Sequence, residues 1–212
     1  MKKAMLVINP RSGKGRAPAI QAMAERVASQ HGFALDVRTV TGPGHGKFLA
    51  EEAVAQGIDR VISAGGDGTL NTVASGLIES KVPLAIVAMG SGNGYARSIG
   101  LPLDHGRALH RAFTGEAALM DVCYLNDVPF LGTAGIGFDA RVAHRFDKTK
   151  GRGMFGYAKI IVQEIFDIVN ALPAEVTVLL IEHDMDLVFS FARTVSVLVN
   201  GALFAEGDVQ SI

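Results

Sequence analysis

The sequence predicts an α/β fold: an open parallel sheet with helices on both faces, followed by a partial antiparallel β-rich second domain. Three observations carry this. Short apolar runs alternate with helix-periodic stretches through residues 1–115. Two glycine clusters begin where an apolar run stops. Beyond residue 116 the alternation gives way to two extended runs joined at Leu125-Asn126-Asp127, a sequence suited to a hairpin turn.

Ala4–Ile8 is an apolar run stopped by Asn9-Pro10 and reads as a buried parallel strand. Ile20, Met23, Ala24, Val27 and Ala28 share one helical face, which Gly32 ends. Leu35–Val40 alternates as a second strand. A glycine-rich turn over 42–46 leads into a helix from Lys47 to Gln56. Arg60–Ala64 is the third strand and runs into Gly65-Gly66-Asp67-Gly68-Thr69. Leu70, Val73, Ala74, Leu77 and Ile78 form the next helical face. Leu84–Ala88 is the fourth strand and runs into Gly90-Ser91-Gly92-Asn93-Gly94. Ala117–Tyr124 and Val128–Thr133 read as paired antiparallel strands. Residues 154–172 read as a long helix stopped by Pro173. Two domains are expected, 1–115 and 116–212.

Composition narrows the function. The chain has 212 residues, 49% of them hydrophobic and 19% charged, which excludes a disordered chain. A net charge of −1 speaks against a dedicated nucleic-acid binder. The single cysteine, Cys123, forms no intramolecular disulfide, fits a reducing compartment, and reads as a small strand hydrophobe. The start has too short an apolar run for a signal peptide, and no stretch approaches the ~18 apolar residues of a membrane span. The expected location is cytoplasmic, or peripheral at a membrane.

Gly65–Thr69 is the strongest motif. Its glycines let backbone N–H groups converge on phosphate oxygens, and the following helix adds a positive dipole end. Asp67 can there hold Mg²⁺ or accept a proton from an attacking hydroxyl. The competing structural reading has Asp67 or Thr69 capping the helix that follows. Asn9-Pro10-Arg11-Ser12-Gly13-Lys14-Gly15 departs from a Walker A loop, which would need glycine at Ile8 and Ser or Thr at Gly15. It reads as a different glycine turn, with Ser12, Gly13, Lys14 and backbone amides toward nucleotide phosphates. Gly90, Ser91, Gly92 and Asn93 repeat the pattern on the fourth strand. All three loops fall at the carboxyl edge of the sheet, where such folds bind ligands.

These loops, with Ala96-Arg97, Gly100-Leu101-Pro102, Met120-Asp121-Val122 and Gly135–Ala140, occur in an order that resembles the diacylglycerol kinase catalytic family, over residues 4–165. The resemblance implies an ATP site and phosphoryl transfer from Mg·ATP to a lipid hydroxyl at a membrane surface. It implies that Asn9, Ser12, Gly66, Thr69 and Asn93 border the nucleotide and that Asp67 is essential; Gly65 and Gly68 are expected at the phosphates from the glycine motif itself. Gly94 stands where members often carry an Asp, which leaves Asp67 and Asp121 as the expected metal partners. Asp121 also reads as a strand-end residue, and Asp139 as a substrate-side carboxylate or a helix cap. Homodimerisation is left open. The same Gly-Gly-Asp-Gly logic occurs in NAD kinase and phosphofructokinase. The rival of another class is a nucleotide-binding protein without turnover.

From about Leu172 the chain resembles instead the end of an ABC-transporter ATPase of the branched-chain amino-acid type, through Leu172–Phe189, Val195–Gly201 and Glu206-Gly207. That likeness would make His183 a switch histidine. The Walker and signature motifs it needs are not in the sequence, so two strands with a helix between them is the plainer expectation. Because the kinase-like pattern stops short, ATP binding with impaired transfer is expected of this chain. The basic run Arg141, His144, Arg145, Lys148, Lys150 and Arg152 reads either as a face for anionic head groups or as a solvated loop.

Overall fold

The computed structural model describes residues 1–135, 137–148, 154–173, 192–199 and 201–208, with Val176 and Phe189. The chain divides into two compact units, Met1–Ala134 and Gly135–Ile212.

The first unit is built on four parallel strands, β1 (Lys2–Ile8), β2 (Phe33–Thr39), β3 (Arg60–Gly65) and β4 (Leu84–Ala88), in the order β2-β1-β3-β4. Alternate residues of each strand enter opposite cores, as the pleat requires. Ala4, Leu6, Ile8, Ile62 and Ala64 pack with α1 (Ala17–Gln30) and α5 (His105–Thr114). Met5, Val7 and Val61 pack on the other face with α2 (His45–Ala55) and α3 (Asp67–Ser75). Both faces are thus covered, which is why β1 and β3 read as unbroken apolar runs.

The strand order has a consequence for the site. From β1 the chain moves outward to β2, then crosses back to β3 on the far side of β1. Connections leave β1 and β3 in opposite directions, the topology at which open α/β sheets bind ligands beyond the carboxyl ends of the strands. The loop after β1 and the loop after β3 flank that point.

The antiparallel part is smaller than the sequence suggests. Residues 117–122 are not strand; β5 (Cys123–Leu125) pairs with β6 (Val128–Phe130) around Asn126-Asp127. Asn126 has φ +53°, a conformation asparagine tolerates better than most side chains. The pair clusters with the first unit. Three helices were not foreseen: α4 (Gly94–Ser98), α5 and α6 (Phe138–Lys148). Asp104 caps α5 by accepting from the Arg107 N–H at 2.9 Å.

In the second unit, α6 (Phe138–Lys148) and α7 (Met154–Ala171) are joined by ion pairs. Buried Glu164 lies 3.1 Å from Arg141 and 2.9 Å from Arg145, and Arg145 also reaches Asp167 at 2.9 Å. Two arginines of the basic run therefore pair with α7, and its residues 141–148 are helix rather than the solvated loop; Lys150 and Arg152 lie outside the described residues. β7 (Thr194–Val199) and β8 (Ala202–Asp208) form an antiparallel hairpin. Gly201 (φ +79°) belongs to its turn. The strand and helix expected over 176–189, with His183, lie outside the described residues apart from Val176 and Phe189.

Candidate functional site

Three loops meet at the carboxyl edge because β1, β3 and β4 are neighbours in the sheet and end at the same level. Asn9 N–H donates to the Ala64 carbonyl at 2.9 Å, and Met89 N–H to the Gly65 carbonyl at 2.7 Å, extending both ladders into the loops. Side chains then tie the loops together. The Asn9 amide donates to Thr69 Oγ1 at 2.9 Å, while its Oδ1 accepts from the Arg11 N–H at 3.0 Å. Gly66 and Gly90 bring their backbones into contact; a Cβ on Gly90 would lie 2.7 Å from Gly66 Cα and 2.9 Å from Asn93 Oδ1. That same Asn93 oxygen accepts from the Gly90 N–H at 2.7 Å and folds the third loop on itself, with Asn93 at φ +53°.

Asp67 does not cap its own helix. It is the first residue of α3, whose N-cap is Gly66 with no side-chain cap. Its carboxylate reaches instead to the start of α4, accepting from Gly94 N–H at 3.0 Å through Oδ2 and from Tyr95 N–H at 3.1 Å through Oδ1. Thr69 does not cap α3 either, since its hydroxyl is taken by Asn9. The capping reading of these two residues is thereby corrected. Each Asp67 oxygen keeps lone-pair capacity beyond its one N–H. The side chain is exposed, its orientation is fixed by two amides, and it can still meet a metal or a hydroxyl.

The first loop holds an unusual backbone. Gly13, Lys14 and Gly15 have φ of +74°, +51° and +83° in succession. Lysine is rare in that region, and such local strain concentrates at ligand clamps. Gly13 fits against Met89 at the end of β4, where a Cβ would stand 3.0 Å from Met89 Cε. Ser12 is half-buried and donates its N–H to the Asn9 carbonyl at 3.1 Å. Lys14 and Ser91 are exposed, with no side-chain hydrogen bond or ion pair among the described residues.

Gly68 is informative for another reason. It lies in the first turn of α3, and a Cβ there would meet nothing within 4 Å. Glycine costs a helix interior about 1 kcal/mol relative to alanine, and no packing among the described residues requires it here. The space above it suits close approach of a ligand to the backbone.

A magnesium ion fits one part of this arrangement. Among the described residues no group of three or more His, Cys, Asp or Glu side chains converges, so there is no all-protein cage. A phosphate-bound Mg²⁺ needs only one or two carboxylates, and Asp67 is the carboxylate at the loops. Asp121 is exposed in the segment before β5 and makes no hydrogen bond or ion pair among the described residues.

Other positioning residues have no motif to announce them. Leu131 N–H donates to Asn71 Oδ1 at 2.7 Å, tying α3 to the chain leaving β6. His105 Nε2 lies 3.2 Å from the Ala88 carbonyl at the end of β4. Tyr95 packs near Gly132, and burial pushes its phenol above the ordinary value, so it is neutral at physiological pH.

Residues 3–125 match the family model described as diacylglycerol kinase catalytic domain. A "Probable lipid kinase YegS-like" from Klebsiella pneumoniae is 33% identical over 141 residues, covering 65% of this chain and 46% of that protein. The "Diacylglycerol kinase" of Bacillus subtilis is 31% identical over 140 residues, covering 65% and 46%. A crystal structure of a diacylglycerol kinase from Bacillus anthracis superposes with a TM-score of 0.55 at 25% identity, covering 61% of this chain and 48% of that one. The chain spans about half the length of the curated relatives it matches. The transporter-ATPase likeness of the tail finds no support among these matches. With the model match running through all three glycine loops, the chain belongs to the diacylglycerol kinase catalytic domain family.

Proposed function

We propose that this chain binds Mg·ATP at the carboxyl edge of the parallel sheet and serves phosphoryl transfer to the hydroxyl of a lipid presented at a membrane surface. The observation that carries the reading is the stitching of three loops around Asp67: Asn9 to Thr69, Gly66 against Gly90, and Asp67 to the amides of Gly94 and Tyr95. A cap of α3 alone would need none of the inter-loop bonds.

In this reading the backbone of Gly65, Gly66, Gly68 and Thr69, with that of Gly13, Gly90, Ser91, Gly92 and Asn93, lines the phosphates. Ser12 offers a hydroxyl, and Lys14 a mobile point charge. Asp67 holds the acceptor hydroxyl in line and takes its proton, or shares the metal with Asp121. Mg²⁺, when bound with the nucleotide, supplies the charge neutralisation such transfers require. The protein's own contribution is positioning and electrostatics. The names of the relatives, lipid kinase and diacylglycerol kinase, favour a lipid acceptor. No helix among the described residues is long and apolar enough to cross a membrane, which suits a lipid met at the surface.

The test is Asp67→Asn, assayed with radiolabelled ATP against extracted lipids. Loss of transfer by ~100-fold or more, the scale of a positioned base, is expected with the circular dichroism spectrum retained. Equal rates for variant and parent would remove Asp67 from the chemistry. Nucleotide binding without any phosphorylated lipid in the parent would select a non-catalytic nucleotide-binding role.

A further inference from the structure

β4 pairs with β3 on one side and, among the described residues, with no strand on the other. Successive residues of a strand turn their backbone polar groups to alternate sides. Met89 N–H donates toward β3, to the Gly65 carbonyl at 2.7 Å. The Ala88 carbonyl therefore points to the open edge, where a buried residue's carbonyl needs a partner. His105 supplies it, with Nε2 at 3.2 Å from that oxygen. A carbonyl only accepts, so Nε2 carries the hydrogen. The peptide group between Ala88 and Met89 is thus held at both ends, its C=O by α5 and its N–H by β3. His105 is itself fixed: it opens α5, half-buried, directly behind the Asp104 cap.

Everything just beyond that peptide group belongs to the loops. Met89 is buried and closes on Gly13 of the first loop, where a Cβ would stand 3.0 Å from Met89 Cε. Gly90 lies against Gly66 of the second loop, and its N–H donates to Asn93 Oδ1 at 2.7 Å. We infer that His105 is a positioning residue for the nucleotide: by holding the last peptide group of β4, it sets where the third loop presents its amides to the phosphates. This rests on the proposed reading of the three loops. A peptide plane held only through its N–H can rock about that bond, and one held at both ends cannot. Rocking there would draw Met89 off Gly13 and turn Gly90–Asn93 away from the loop after β3. Donors fixed before the ligand arrives lose little freedom on binding.

Glutamine and asparagine separate the hydrogen bond from the rest of the side chain. The glutamine amide nitrogen reaches as far along the side chain as Nε2, whereas that of asparagine reaches only as far as Nδ1. His105→Gln should therefore keep the parent's affinity for Mg·ATP and for inorganic tripolyphosphate. His105→Asn should weaken both by between about three- and tenfold, the scale of one net hydrogen bond. Calorimetric titrations well below each variant's melting temperature read this without interference from a loss of fold stability. His105→Asn with the parent's affinities would overturn the positioning role and leave the phosphate site standing. Equal losses in both variants would also overturn it, by assigning the effect to the ring rather than to its bond with Ala88. A parent that binds neither ligand would overturn both readings.

Discussion

At the scale of single residues, two glycines twenty-two positions apart in the sequence separate stability from function. Gly90 is closed in by Gly66 Cα and by Asn93 Oδ1. Alanine there meets backbone, which cannot swing away, so Gly90→Ala should destabilise the protein by ~1–3 kcal/mol, the cost of overpacking. Gly68 faces open space in a helix. Gly68→Ala should hold or raise stability, by up to about 1 kcal/mol, yet weaken Mg·ATP binding by filling the ligand's approach. Urea melts and nucleotide titrations on both variants decide this; an unchanged ATP affinity for Gly68→Ala would show that its space is not part of the site. The same pair shows what sequence can and cannot tell. The glycines of the three loops were legible as a group, because clustered glycine after an apolar run has few uses. Their separate jobs were not, because the distance from Gly66 to Gly90 is set by the sheet. The partner of Asp67 was illegible for the same reason. Its amides come from residues 94 and 95, on a helix of five residues with no periodic apolar face to betray it.

At the scale of elements, length did not decide what was readable: the nine-residue α3 was foreseen, while the ten-residue α5, the eleven-residue α6 and the strand β8 were not. β4 was foreseen at Leu84–Ala88, and α7 within one residue of its end at Ala171, since an apolar run or an eighteen-residue face outvotes local noise. β5 and β6 were overcalled, since Ala117–Val122 is apolar enough for a strand but finds no partner. α5 shows how an unforeseen element is held at both ends by residues outside its apolar face. Asp104 caps its start. Arg60, at the first position of β3, donates to the carbonyls of Ala112 and Gly115 at its end, the latter at 3.1 Å. An arginine there satisfies orphan carbonyls and favours the negative end of the helix. Asp104→Ala should cost about 1 kcal/mol. Arg60→Ala should cost about 2 kcal/mol, since two charge-assisted bonds are lost and part-buried carbonyls are left over. Chemical denaturation of the two variants checks the order; an Arg60→Ala chain as stable as the parent would mean that water replaces the guanidinium at no cost.

At the scale of the molecule, every glycine loop belongs to the first compact unit, Met1–Ala134. Its sheet presents the loops from β1, β3 and β4 on one edge, with the switch point between β1 and β3 set by strand order alone. Nucleotide binding should therefore stabilise this unit through linkage, whatever the acceptor lipid is. At Mg·ATP a hundredfold above its dissociation constant the stabilisation is about 2.7 kcal/mol. For a unit of this size that is a rise of roughly 5–15 °C in melting temperature. The rise should grow with the logarithm of nucleotide concentration, and it should shrink when EDTA removes the magnesium that screens the phosphates. It should also shrink in Asp67→Asn, whose side chain offers one carbonyl oxygen where two oxygens now receive amides and leaves α4 less firmly placed. The measurement is differential scanning fluorimetry of the whole chain over a series of Mg·ATP concentrations, with and without EDTA. A melting temperature that ignores Mg·ATP would show that the loops, though stitched together, do not close on a nucleotide. A rise equal with and without EDTA would keep the nucleotide and remove magnesium from its binding.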